Sequence, residues 1–164
     1  MGHRALKRYL LSTACSLLLS ISIASTGLTA EMKPGPVPKG AKCPVCGMFV
    51  EKYKEWITQV VFTDGTAAFF DGPKDMFRYY FNIAKYNPGK KQSDINAIYV
   101  TEYYSAKFMD ARKGIFFVQE SDVNGPMGAE LVPVDSFDRA KEFMKDHHGK
   151  KILKFGEVKK EDLT

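Results

Sequence analysis

This 164-residue sequence predicts an α+β fold in which two β-β-α-β halves pack into one small domain. Three observations carry the prediction. β-Branched and apolar runs are separated by turn signals, as in antiparallel strands. The order strand, strand, helix, strand occurs twice, over residues 57–104 and 115–156. Each half offers one helix and three strands, too little to bury a sheet alone, so the halves must share a core.

Residues 1–30 stand outside that fold. Arg4, Lys7 and Arg8 make a basic start, "YLLSTACSLLLSISIA" (9–24) is an apolar-to-small run, and small residues follow, with cleavage expected after Ala24 or Ala30. This order predicts a secretory signal peptide. The run falls short of the roughly 20 apolar residues of a membrane span and is rich in Ser and Thr. Cys15 lies inside the run, whereas a lipid-attachment cysteine follows one. The expectation is an exported, periplasmic protein, soluble rather than lipid-anchored. "EMKPGPVPKGAK" (31–42), with three prolines and two glycines, reads as a flexible linker. The remaining residues, 43–164, form the domain.

In the first half "ITQVVFT" and "AAFF" flank "DGT", the pattern of a hairpin. "DGPKDMFRYYFNIAKYN" (71–87) predicts a helix capped by Asp71, with Pro73 in its first turn. Met76, Phe77, Tyr80, Phe81 and Ala84 recur at helical spacing and make its apolar face. "INAIYVTEYY" (95–104) is the third strand, and a short strand is expected at Lys107 to Asp110. In the second half "GIFFVQE" is a strand, "SDVNGPMGA" (121–129) a long turn-rich loop, and "ELVPV" a strand that Pro133 makes an edge or a short one. "DSFDRAKEFMKDHHG" (135–149) is a helix capped by Asp135 or Ser136 and stopped by Gly149. Phe137, Ala140, Phe143, Met144 and His147 fall on one side of it, and "KKILKF" closes the unit.

The net charge of +5 owes much to the first thirty residues, which hold three basic residues and no acidic one. Without them 24 basic against 19 acidic residues becomes 21 against 19, a net +2 with mixed signs. Such a chain has no basic face for nucleic acid.

The chemistry concentrates in "KCPVCGMFVE" (42–51) and in the long second loop. Cys43 and Cys46 suit a disulfide, a redox pair, half a zinc site or soft-metal ligation. Met48 follows Gly47, and Met127 sits between Pro126 and Gly128; neither lies on a periodic apolar face. Thiolate and thioether together are the ligand set that selects Cu(I). Zinc prefers four ligands from Cys, His and carboxylates. Beyond residues 1–30 only His147 and His148 are left to complete such a set, and neighbouring helical residues point about 100° apart. The plain reading of these histidines is a helix C-terminus, where an imidazolium meets the dipole favourably. Thiol–disulfide catalysis would place Cys43 at a helix start after a strand, and a proline-rich segment precedes it instead.

"CPVCGM", "FFDGPKDMFRYY", "VTEYYSAKFMDARKGIFFV", and "GPMGAELVPV" followed by a helix ending in "HHG", in this order, resemble the NosL family of exported copper-binding accessory proteins linked to nitrous oxide reductase assembly. The resemblance spans residues 41–156. It implies a non-enzymatic copper chaperone that binds Cu(I) and delivers it to a copper enzyme such as nitrous oxide reductase, receiving it from copper-delivering proteins. Its metal-binding Cys-x-Met falls on Cys46 and Met48, and its Met-Gly-Ala loop on Met127, Gly128 and Ala129. Cys43 is an addition to the single cysteine that many members carry: a fourth ligand, a reversible disulfide partner of Cys46, or a spare. The alternatives are a periplasmic thiol–disulfide protein using Cys43 and Cys46, and a structural zinc-knuckle module.

Overall fold

The computed structural model describes residues 32–163, so the signal peptide expected over residues 1–30, with Cys15, lies outside the described residues. The first half forms a four-stranded antiparallel sheet from β1 (Thr58–Phe62), β2 (Ala67–Phe70), β3 (Ile95–Thr101) and β4 (Phe108–Asp110), in the order β2-β1-β3-β4. The turn between β1 and β2 is held by Asp64, whose Oδ1 accepts from the Thr66 amide and hydroxyl at 3.1 and 2.7 Å. β2 and β3 are both antiparallel to β1, so they run the same way. Parallel strands need a long crossover, which α1 (Pro73–Phe81) and the short α2 (Ile83–Tyr86) supply.

The second half repeats the plan. β5 (Phe116–Gln119) lies between β8 (Val132–Val134) and β9 (Lys151–Lys154), and α3 (Phe137–Asp146) makes the crossover. Pro133 is on edge strand β8, as its missing N–H requires. Inside the loop between β5 and β8 is a two-stranded ribbon, β6 (Asn124–Gly125) and β7 (Gly128–Ala129). Pro126 and Met127 are its two turn residues, and Gly128 closes the turn at φ +81°.

β5 shows how the core divides. Phe117 faces the main core with Val60, Phe62, Phe70, Met76, Phe77, Ile98 and Leu131. Its neighbours Phe116 and Val118 face α3 with Val132, Val134, Ala140 and Phe143, the two-residue alternation of a strand. The second sheet is thus covered by α3 on one face and by the shared core on the other.

Several local expectations shift. The buried face of α1 is Met76, Phe77 and Tyr79, while Ala84 is exposed. The helix breaks at Asn82 (φ −135°), whose side chain bonds the Arg78 carbonyl, so the helical register does not continue to Ala84. Ser136 caps α3 by accepting from the Arg139 amide. Phe137 in its first turn is exposed but its ring lies tilted against Phe116. The left-handed residue after α3 is His148 (φ +56°) rather than Gly149, which is needed for room beside Val118 and Met144.

The proline-rich segment is extended, and it lies on the outer face of the first sheet. Gln59 exchanges two hydrogen bonds with Gly35, at 2.8 and 3.0 Å. The Met32 amide donates to Asn96 Oδ1, and Tyr99 Oη donates to the Met32 carbonyl, each at 2.8 Å. This strap covers Val61, Ala97 and Tyr99 and delivers the chain to the cysteine loop.

Candidate metal centre

Residues 42–49 close a small loop. Lys42 and Phe49 form an antiparallel bridge, the Cys43 amide donates to the Met48 carbonyl, and the Gly47 amide donates to the Cys43 carbonyl, both at 2.9 Å. Gly47 has φ +79°, a conformation that costs other residues. The loop turns the two thiols the same way. Cys43 is 2 % exposed, Cys46 and Met48 are half-buried, and the cysteines are unbridged.

The thiols meet the entrance of α1. Cys46 Sγ donates to Asp71, with its two carboxylate oxygens at 3.3 and 3.4 Å. Cys43 Sγ donates to Asp75 Oδ2 at 3.5 Å. Asp75 is fixed in turn by Arg78, whose guanidinium bonds its other oxygen at 2.9 Å and the Leu163 carbonyl at 2.7 Å. The four ligand atoms of Cys43, Cys46, Asp71 and Asp75 all lie within 4.8 Å of one another. Asp71 and Asp75 are both buried.

This changes the role of Asp71. Gly72 stands at the N-cap of α1 with no side-chain cap bond, and Asp71 is turned to Cys46 instead. Neither aspartate stood out in the sequence, because an acid beside a helix start has a sufficient local explanation. Their spacing at i and i+4, which puts two side chains on one face of a helix, was the available signal.

Electrostatically the apo centre favours protons on sulfur. Burial first, then Asp71, pushes the Cys43 thiol far above its ordinary value, against backbone hydrogen bonds from Cys46 and Val45 that lower it. Burial, with the carboxylates of Asp75 and Asp71, pushes Cys46 up to about 11. Two carboxylates beside two potential thiolates concentrate negative charge that a cation relieves.

Met127 lies at the tip of the β6–β7 ribbon and is 45 % exposed, so it is no part of the core. The ribbon is anchored to the start of α1, where Lys74 Nζ donates to the Ala129 and Met127 carbonyls. Met127 and the Cys43/Cys46 loop are therefore both joined to the same end of one helix. His147 belongs elsewhere: its Nδ1 pairs with Asp122 Oδ1 at 3.0 Å and its ring packs on Phe143 at the end of α3. Neither histidine joins the cysteines, which removes the ligand set expected of a zinc knuckle closed by His147 or His148.

The sequence model of the NosL family matches residues 34–163. Among solved structures, the copper chaperone NosL from Shewanella denitrificans aligns with a TM-score of 0.63 at 20 % identity, over 79 % of this chain and 97 % of that one. The apo-NosL protein from Achromobacter cycloclastes aligns with a TM-score of 0.46 at 20 % identity, over 65 % of this chain and 87 % of its own. No curated protein matches the chain.

Proposed function

This chain belongs to the NosL family, and we propose that it is an exported, periplasmic carrier of Cu(I) that hands its cargo to a copper enzyme such as nitrous oxide reductase. It is a copper-binding protein and not an enzyme, in keeping with the chaperone whose fold it shares. The observation that carries the reading is the convergence of Cys43 and Cys46 beside Asp71 and Asp75. Cys46 supplies a thiolate, Met48 and Met127 supply thioethers, and Cys43 is the fourth sulfur. Soft sulfur donors favour Cu(I) over harder cations, and the ligands stand on a short loop and a ribbon tip, where a cargo can be gained and lost. No helix among the described residues is long and apolar enough to cross a membrane.

A thiol–disulfide enzyme needs a thiolate stabilised near neutral pH. Both thiols here are shifted the opposite way. The carboxylates favour a second reading, a zinc module, since two thiolates and two carboxylates suit that ion.

Anaerobic Cu(I) titration against a chelator of known affinity tests the proposal. Cys46→Ser should abolish tight binding. Met127→Leu, which keeps shape but removes sulfur, should weaken it by about tenfold while stability stays within about 0.5 kcal/mol, as for an exposed side chain. Retention of zinc in preference to copper by the reduced native chain would favour the zinc module instead.

A further inference from the structure

Glu130 and Lys74 are charged side chains buried to 4 % and 7 % exposure, and neither belongs to the cysteine–aspartate group. Glu130 follows β7 directly. Its Oε1 accepts from the Leu131 amide at 2.9 Å and from the Lys74 amide at 2.6 Å. Lys74 is the second residue of α1, so the carboxylate sits at the positive end of the helix and satisfies an amide that the helix cannot. The Lys74 side chain returns the link, with Nζ donating to the Ala129 carbonyl at 2.5 Å and to the Met127 carbonyl at 3.4 Å. Gly72 and Gly125 leave the space for this, because a Cβ at either would run into the Glu130 side chain. The ribbon and the helix start are thus bound in both directions by groups 53 to 56 residues apart in sequence.

We propose that Glu130 and Lys74 are positioning residues for copper capture: a buried clasp that holds the Met127 tip against the helix start bearing Asp71 and Asp75, and so within reach of Cys46. This rests on the reading of Met127 as a copper ligand. A ribbon of two residue pairs is too small to hold its own geometry. Ordering it at the moment of binding would subtract from affinity, whereas a clasp made during folding does so in advance. Burying two ionisable groups costs more than apolar packing would, and positional specificity is the return that fits this site.

The test uses Glu130→Met, which keeps the side-chain length and loses both acceptor oxygens, and Lys74→Met, which keeps the stem and loses the ammonium. Each should lower Cu(I) affinity about tenfold and remove one sulfur neighbour from the copper X-ray absorption spectrum. Neither should lower it further in a Met127→Leu background, because the clasp acts through that sulfur. Equal losses in both backgrounds, or an undiminished sulfur count, would overturn the clasp. Amide exchange in the copper-free chain reads it directly: Gly128 and Ala129 should exchange at least about tenfold faster in either variant, with Val60 and Ile98 unchanged. Unchanged ribbon exchange would overturn it too. If one variant does not fold, the other carries the same outcomes. A loss in Met127→Leu without a loss in the clasp variants removes the clasp alone; native affinity in Met127→Leu removes the third ligand and the clasp's role with it.

Discussion

In the proposed site Cys46 must lose a proton before it can hold copper, and its surroundings resist that loss. With the thiol pushed up to about 11 and Cys43 higher still, both are protonated in the copper-free chain near neutral pH. Copper therefore competes with protons, and affinity must rise with pH. If both thiolates ligate, the apparent Cu(I) association constant should climb about a hundredfold per pH unit between pH 6 and 8, and about tenfold if Cys46 acts alone. Chelator competition at three pH values measures that slope. Oxidation acts at the same atoms: a Cys43–Cys46 disulfide leaves no thiolate, so the oxidised chain should take up little Cu(I) until reduced, and equal uptake by both forms would exclude Cys46 from the site. The cysteines and Met127 stood out in the sequence because they lie in loop-like stretches off any periodic apolar face. Asp71 and Asp75 did not, since proximity to the thiols arises only when residues 43–46 fold back onto residues 71–75.

At the scale of elements, α1 has its capping carboxylate supplied from the other half of the chain. Glu130 takes the place expected of Asp71, and Asp71 is released to face Cys46. Burial raises the Glu130 carboxyl to about 7 from 4.5. Lys74 and Asp75 act on it from α1, and a cavity of about 160 Å³ beside it is also lined by Glu120, Lys151, Glu161 and Asp162. Between pH 4.5 and 7 the folded chain then holds a proton that the unfolded chain has lost. Stability should fall as pH rises across that window, by at most about 1.4 kcal/mol per unit. Urea denaturation at pH 5, 6 and 7 should show this slope in the native chain and a flatter one in Glu130→Gln. The order of strands and helices was readable because each element carries its own periodicity. The β6–β7 ribbon was not: two residues per strand show no alternation, and its support comes from Lys74 and Glu130.

For the whole molecule, the two halves are bound through α1. Phe77 meets Phe117 edge to face at 5.1 Å and lies tilted at 5.0 Å from Phe155, both in the second half, and the Tyr103 amide donates to the Pro133 carbonyl across the same junction. Phe77→Ala should cost about 3–5 kcal/mol, and calorimetry should still show one transition, because neither half keeps a core without the other. Two transitions would mean the halves fold independently. The repeat itself was legible in the sequence, but its asymmetry needed the structure. The strap over residues 32–42 also bears on where the folding unit begins. Val61, Ala97 and Tyr99 lie beneath it on an outward sheet face, and Gln59 spends both polar ends of its amide on Gly35. A truncation beginning at Cys43 would leave that face bare and the Gln59 amide unmatched. Its expected fate is self-association through the uncovered sheet, visible as concentration-dependent light scattering, whereas a chain starting at Met32 stays monodisperse. The prolines that mark the strap as a connector also shield it from proteases while it lies pinned, so limited digestion should spare residues 34–38 for as long as the first sheet holds.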